Sequence, residues 1–151
     1  MAYAVEQGIS DLCASSAGTR AMIGHPIHAD AALVLQQLGG DPTGFAARQL
    51  TAKVVSDADL ILTMTVAHRD RVLELSPYKL ARTFTLGEAH TLTTQFHAQT
   101  ISDLAGLRPR LTDSGRLDVL DPIGQDSKVF ESIGTQIAEL LVPIVKLCQP
   151  E

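Results

Sequence analysis

With 151 residues, 45% of them hydrophobic, the chain has the size of one domain and can bury a core without a covalent staple. A formal charge of -5 and a pI near 5.4, with no cluster of Lys and Arg, argue against nucleic acid or an anionic membrane as partner. No apolar run approaches the roughly 20 residues of a membrane span and no basic-then-apolar leader opens the chain, so the expected address is cytoplasmic.

Residues 1–8 combine helix formers with a closing Gly8, as the back half of a helix would. Leu12-Cys13-Ala14-Ser15-Ser16-Ala17, followed by Gly18-Thr19, suits a short strand feeding a tight turn. Residues 29–38 space Ala32, Leu35 and Leu38 on one helical face, and Gly39-Gly40 stop the helix. Asp41-Pro42-Thr43-Gly44 is turn chemistry, after which Thr51 is placed to cap a short helix.

Ala58-Asp59-Leu60-Ile61-Leu62-Thr63-Met64-Thr65 is the stretch around which the rest is arranged. Its apolar middle is too short for a helix and lacks the alternation of a half-exposed strand, so it reads as a buried parallel strand flanked by helical crossovers. Residues 66–75 follow as an amphipathic helix ended by Ser76-Pro77, and residues 82–86 alternate like a strand. A longer, more polar helical pattern covers 88–107 up to Arg108-Pro109, then a loop runs over 110–121. Residues 128–147 close the chain as an amphipathic helix containing Pro143. The alternation predicts an α/β fold, a doubly wound parallel sheet with strands at 12–17, 59–65 and 82–86.

Ligands of open parallel sheets sit at the carboxyl ends of the strands, which directs attention to residues 18–20, 63–68 and 87–88 and to any loop folded over that edge. Asp118-Val119-Leu120-Asp121-Pro122-Ile123-Gly124 is such a loop. An Asp before Pro is held extended and can aim a carboxyl group, although Asp-Pro also opens ordinary turns. Cys13 and Arg20 are one residue too far apart for a Cys-x5-Arg phosphate cradle, and Cys13 falls inside the predicted strand, so it is expected to be a small buried core residue. Cys148 lies near the C-terminus, and the two cysteines show neither disulfide nor zinc spacing. His25, His28, His68, His90 and His97 are dispersed and expected at the surface, so no metal is predicted. No Gly-rich turn opens a helix with Lys-Ser or Lys-Thr, so no nucleotide cofactor is expected.

Taken together, Ser16-Ala17-Gly18-Thr19, Ala47-Arg48-Gln49-Leu50-Thr51, Ala58 to Met64 with His68, Thr83-Phe84-Thr85-Leu86-Gly87-Glu88 and Asp121-Pro122 resemble the low-molecular-weight protein tyrosine phosphatase family, whose fold some arsenate reductases share. The resemblance covers nearly the whole chain as a single domain. It implies a three-layer sheet in the order 2-1-3-4, with three strands left of an expected four. In the family a strand and a Cys-x5-Arg-Ser-Pro loop precede a Met-Ala that Met1-Ala2 matches.

The resemblance therefore places the nucleophilic Cys and the phosphate-clamping Arg ahead of Met1, and implies that the chain as given is inactive and destabilised beside the missing strand, with a displaced start site or another artefact expected over a natural product. It also implies Asp121 as general acid, a phosphotyrosine protein or small phosphate ester as substrate, and no cofactor. Phe45 departs from the His that many members use to support the phosphate loop. A non-catalytic binding relative or an arsenate reductase-like protein is the alternative.

Overall fold

The computed structural model describes residue 9, residues 11–112 and residues 118–148, so the helical stretch expected at 1–8 lies outside it. In chain order the described residues form α1 (Ala29–Gln37), α2 (Ala52–Ser56), β1 (Ile61–Thr63), α3 (Val66–Leu75), a 3-10 turn (Pro77–Arg82), β2 (Thr83–Thr85), α4 (Leu86–Thr94), α5 (Ile101–Leu107), a second 3-10 turn (Arg108–Arg110) and α6 (Ser127–Lys146). They fall into two compact units, residues 1–50 with 121–139, and residues 51–120 with 140–151.

In the first unit, α1 starts at His28, whose Nδ1 accepts the Asp30 amide at 3.3 Å. The same imidazole stacks on the Phe130 ring, with centroids 4.8 Å apart. The helix ends as Gly39 and Gly40 donate to the carbonyls of Gln36 and Leu35, Gly39 adopting φ 80° as a left-handed stop requires. The Ser16 to Thr19 and Ala47 to Leu50 stretches clasp one another. Gly18 donates to Arg48 O at 3.0 Å and accepts from Leu50 N at 2.8 Å. The Gln49 side chain accepts the Ala21 amide and donates to Thr19 O, and Arg48 Nε donates to Ser16 O.

This clasp is all the sheet-like pairing the segment has. The strand expected at 12–17 does not form, and a single parallel bridge, Gly18 to Gln49, stands in its place. Residues 13–16 are exposed, and among the described residues no strand lies beside them. Their small side chains have little apolar area to bury, so an extended backbone without a partner has nothing to offset its ordering cost. Cys13 is accordingly exposed, not a core residue.

The second unit holds the sheet. β1 and β2 pair in parallel with Ile61 opposite Thr83, Leu62 opposite Phe84 and Thr63 opposite Thr85, so the described residues contain two strands, not three. The alternation expected over 82–86 is absent too: Thr83, Phe84 and Thr85 are all buried. Threonine tolerates this because its hydroxyls find partners, Thr83 Oγ1 donating to Lys79 O and Thr85 Oγ1 accepting the Glu88 amide. α3 and α4 pack against the strand pair, around a core of Val55, Val72, Phe84, Leu86, Leu92 and Leu104.

Arg108 lies over the Phe84 ring, 3.9 Å from its centroid, and donates to the carbonyls of Leu80 and Thr83. Thr51 and Thr65 cap α2 and α3 by accepting the amides of Val54 and His68. The helical pattern at 88–107 is two helices. α4 begins at Leu86 directly from β2, and the chain turns between α4 and α5 with His97 at φ 58°.

Candidate active site

At the carboxyl end of β1, Thr63 is 7% exposed and its hydroxyl donates to Thr65 O at 3.1 Å, folding the chain into the cap of α3. Four amides at a helix start lack intrahelical acceptors. In α3 Thr65 Oγ1 takes that of His68 at 3.2 Å, and Asp118 Oδ1, 52 residues further along the chain, takes that of Val66 at 2.9 Å. The next residue, Val119, donates its amide to Met64 O at 2.8 Å and is 2% exposed.

At the end of β2, Glu88 is buried at the mouth of α4. One carboxylate oxygen accepts the Thr85 amide at 2.9 Å, the other pairs with Arg69 Nη1 at 2.6 Å. A buried carboxylate is tolerated only when it is paired and hydrogen-bonded in this way. Residues 63–68 and 87–88 thus form a hydrogen-bonded strand edge.

The acidic loop divides its carboxylates. Asp126 Oδ1 accepts the Val129 amide at 3.1 Å and caps α6, as Asp118 caps α3. Asp121 is exposed, and its Oδ1 accepts the amide of Ile123, two residues on, at 3.0 Å. Gln125 N donates to Pro122 O and Gly124 takes φ 83°, which closes a tight turn beside it.

His25, His28 and His97 are exposed as expected, whereas His68 and His90 are half-buried, His90 Nδ1 lying 3.2 Å from Leu140 O. The carbonyl can only accept, so Nδ1 carries the proton there. Burial pushes the Cys148 thiol up, away from the thiolate a nucleophile requires. Arg20 and Phe45 are exposed. Sequence reasoning passed over the two caps at the strand edge. Thr85-Leu86-Gly87-Glu88 carries the spacing of a capping box, a local signal open to detection, but nothing local marks a bond between residues 66 and 118.

The family model described as low molecular weight phosphotyrosine protein phosphatase matches residues 1–148. A low molecular weight protein-tyrosine-phosphatase, Ptp, of Acinetobacter johnsonii is 32% identical over 85 residues, 56% of this chain and 60% of that protein. A probable low molecular weight protein-tyrosine-phosphatase, EpsP, of Ralstonia nicotianae is 37% identical over 84 residues, 56% of this chain and 58% of its own length. The matched region thus spans about 60% of the length of these relatives.

Among solved structures, Wzb of Vibrio vulnificus in complex with benzylphosphonate superposes with a TM-score of 0.70 at 22% identity, covering 96% of this chain and 86% of that one. The YwlE arginine phosphatase of Geobacillus stearothermophilus does so with a TM-score of 0.71 at 22% identity, covering 96% and 79%. At that identity the likeness is one of fold.

Proposed function

The chain belongs to the low molecular weight phosphotyrosine protein phosphatase family, and from that premise we propose that it serves the hydrolysis of an aryl phosphate, a phosphotyrosine protein or a small ester, with Asp121 as general acid. The nucleophile is the thiolate of a Cys-x5-Arg loop, a pattern that the 151 residues do not contain. In the first step that sulfur bonds to phosphorus as the bond to the aryl oxygen breaks, and Asp121 delivers its proton to the departing oxygen. In the second, the Asp121 carboxylate takes a proton from water as the water oxygen displaces sulfur, releasing phosphate. Loop amides and the guanidinium hold the equatorial oxygens throughout.

One observation carries the choice of Asp121: all three carboxylates are exposed, but those of Asp118 and Asp126 are committed to helix N-termini, whereas that of Asp121 is bonded within its own turn. The tyrosyl substrate class is supported by the curated relatives, named as protein-tyrosine-phosphatases. Among the described residues no helix is long and apolar enough to cross a membrane.

The test is Asp121→Asn in a protein that carries the Cys-x5-Arg loop. Turnover of aryl phosphates with poor leaving groups should fall about 10²–10⁴-fold with little change in substrate binding. Leaving groups of low pKa need little protonation and should largely rescue the variant. A defect equally deep for good and poor leaving groups would make Asp121 a turn-former only, and would favour the non-catalytic reading.

A further inference from the structure

We propose that Asp118 is a positioning residue for the acid loop: its carboxylate, seated on the first amide of α3, fixes the point from which the chain departs towards Asp121. The inference rests on Asp121 being the general acid. Asp118 itself is exposed, but its bond is not isolated. Asp118 Oδ1 to Val66 N, Val119 N to Met64 O and the buried Val119 side chain hold two successive residues to the junction of β1 and α3.

The carboxylate is well suited to that seat. Thr65 already serves the His68 amide, and Asp118 supplies the acceptor for the Val66 amide; a negative charge there is further favoured by the positive end of the helix dipole. Only Val119 and Leu120 lie between Asp118 and Asp121, a reach of at most roughly 11 Å. Pinning residues 118 and 119 therefore narrows the volume that the Asp121 carboxyl can sweep. Proton transfer needs the donor within hydrogen-bond reach of the leaving oxygen, and about an ångström of misplacement can cost as much as a hundredfold in rate.

The experiment compares Asp118→Ala, Asp118→Asn and Asp121→Asn in the protein bearing the Cys-x5-Arg loop, over aryl phosphates of graded leaving-group pKa. Hydrogen exchange of the Val66 and Val119 amides is followed alongside. Asp118→Ala should lower kcat about ten- to a hundredfold for poor leaving groups and much less for good ones, with KM nearly unchanged, while both amides exchange faster. Asp118→Asn keeps an oxygen that can accept from Val66, so it should retain most of the parent's kcat and its amide protection.

Parent-like kcat in Asp118→Ala, or a loss of the same depth for every leaving group, overturns the positioning role. So does an Asp118→Asn defect as deep as that of Asp121→Asn, which would make Asp118 the proton donor. If Asp121→Asn shows its leaving-group signature and Asp118→Ala does not, only the present inference falls. If Asp121→Asn shows none, the acid reading fails and the positioning role falls with it.

Discussion

Asp103 shows how much one short side chain can do at a helix start. Its Oδ2 accepts the amides of Gln99 and Thr100 at 3.0 and 2.9 Å, while Thr100 Oγ1 takes the amide of Asp103 in return. Those bonds to the charged form, the Gln99 amide first among them, hold its carboxyl below the usual carboxylate value. A folded-state pKa below the unfolded one means that the contribution is complete above the unfolded value near 3.8 and is lost as pH falls through the folded value. Asp103→Ala should therefore be less stable than the parent by a constant margin above about pH 5, and the margin should shrink as pH drops towards about 2. Thermal melts across that range decide the matter, and a margin independent of pH would show that the carboxylate is not the acceptor. Thr100-Ile101-Ser102-Asp103 advertises this cap in its spacing, as Thr51 advertises its own. The Asp118 bond to Val66 had no such advertisement, because its partner arrives from 52 residues away and only the folded chain brings the two together.

The same division between local and distant causes recurs among the elements. The helix expected at 66–75 is observed with those bounds, since Thr65 starts it and Ser76-Pro77 ends it, both local instructions. The strand expected at 12–17 depended on a neighbour, which no local pattern supplies, and only Gly18 pairs. The pattern over 88–107 concealed a break because no Gly or Pro marks residues 95–100; His97 takes the left-handed turn instead, and Ala98 N reaches back to Leu92 O. Helix approach is likewise invisible in sequence. In α6 a Cβ added at Gly134 would collide with Val34 Cγ1 of α1, so the two helices meet where glycine leaves room for valine. Gly134→Ala should destabilise by about 1–3 kcal/mol despite the better helix propensity of alanine, since overpacking outweighs the gain of up to about 1 kcal/mol. Denaturant titration of Gly134→Ala with and without Val34→Ala measures it. The second substitution should recover much of the loss, and additive losses would mean that the two side chains do not collide.

At the scale of the whole chain, the fold family was legible because five short motifs in a fixed order are hard to assemble by chance, and the match over residues 1–148 bears that out. The chemistry was legible only in part, since the nucleophile and its clamp need a Cys-x5-Arg spacing that none of the 151 residues supplies. Neither cysteine present is a substitute. Cys13 stands six residues clear of Arg20 in an exposed stretch without strand pairing, and the Cys148 thiol is pushed up by burial. In the reaction proposed above, a thiolate and a guanidinium must converge on one phosphoryl group for the first step to proceed, and the part assigned to Asp121 is the proton alone. Purified residues 1–151 should therefore give no turnover of an aryl phosphate above background, whereas a protein in which a Cys-x5-Arg loop accompanies them should give it. Replacing the cysteine of that loop by serine should abolish the activity, whereas Cys13→Ser should leave it unchanged. Turnover by residues 1–151 alone that vanishes on Cys13→Ser would reverse the assignment, making the exposed Cys13 the nucleophile and requiring the 13–20 stretch to close around phosphate in a conformation other than the one held by the Gly18, Gln49 and Arg48 bonds.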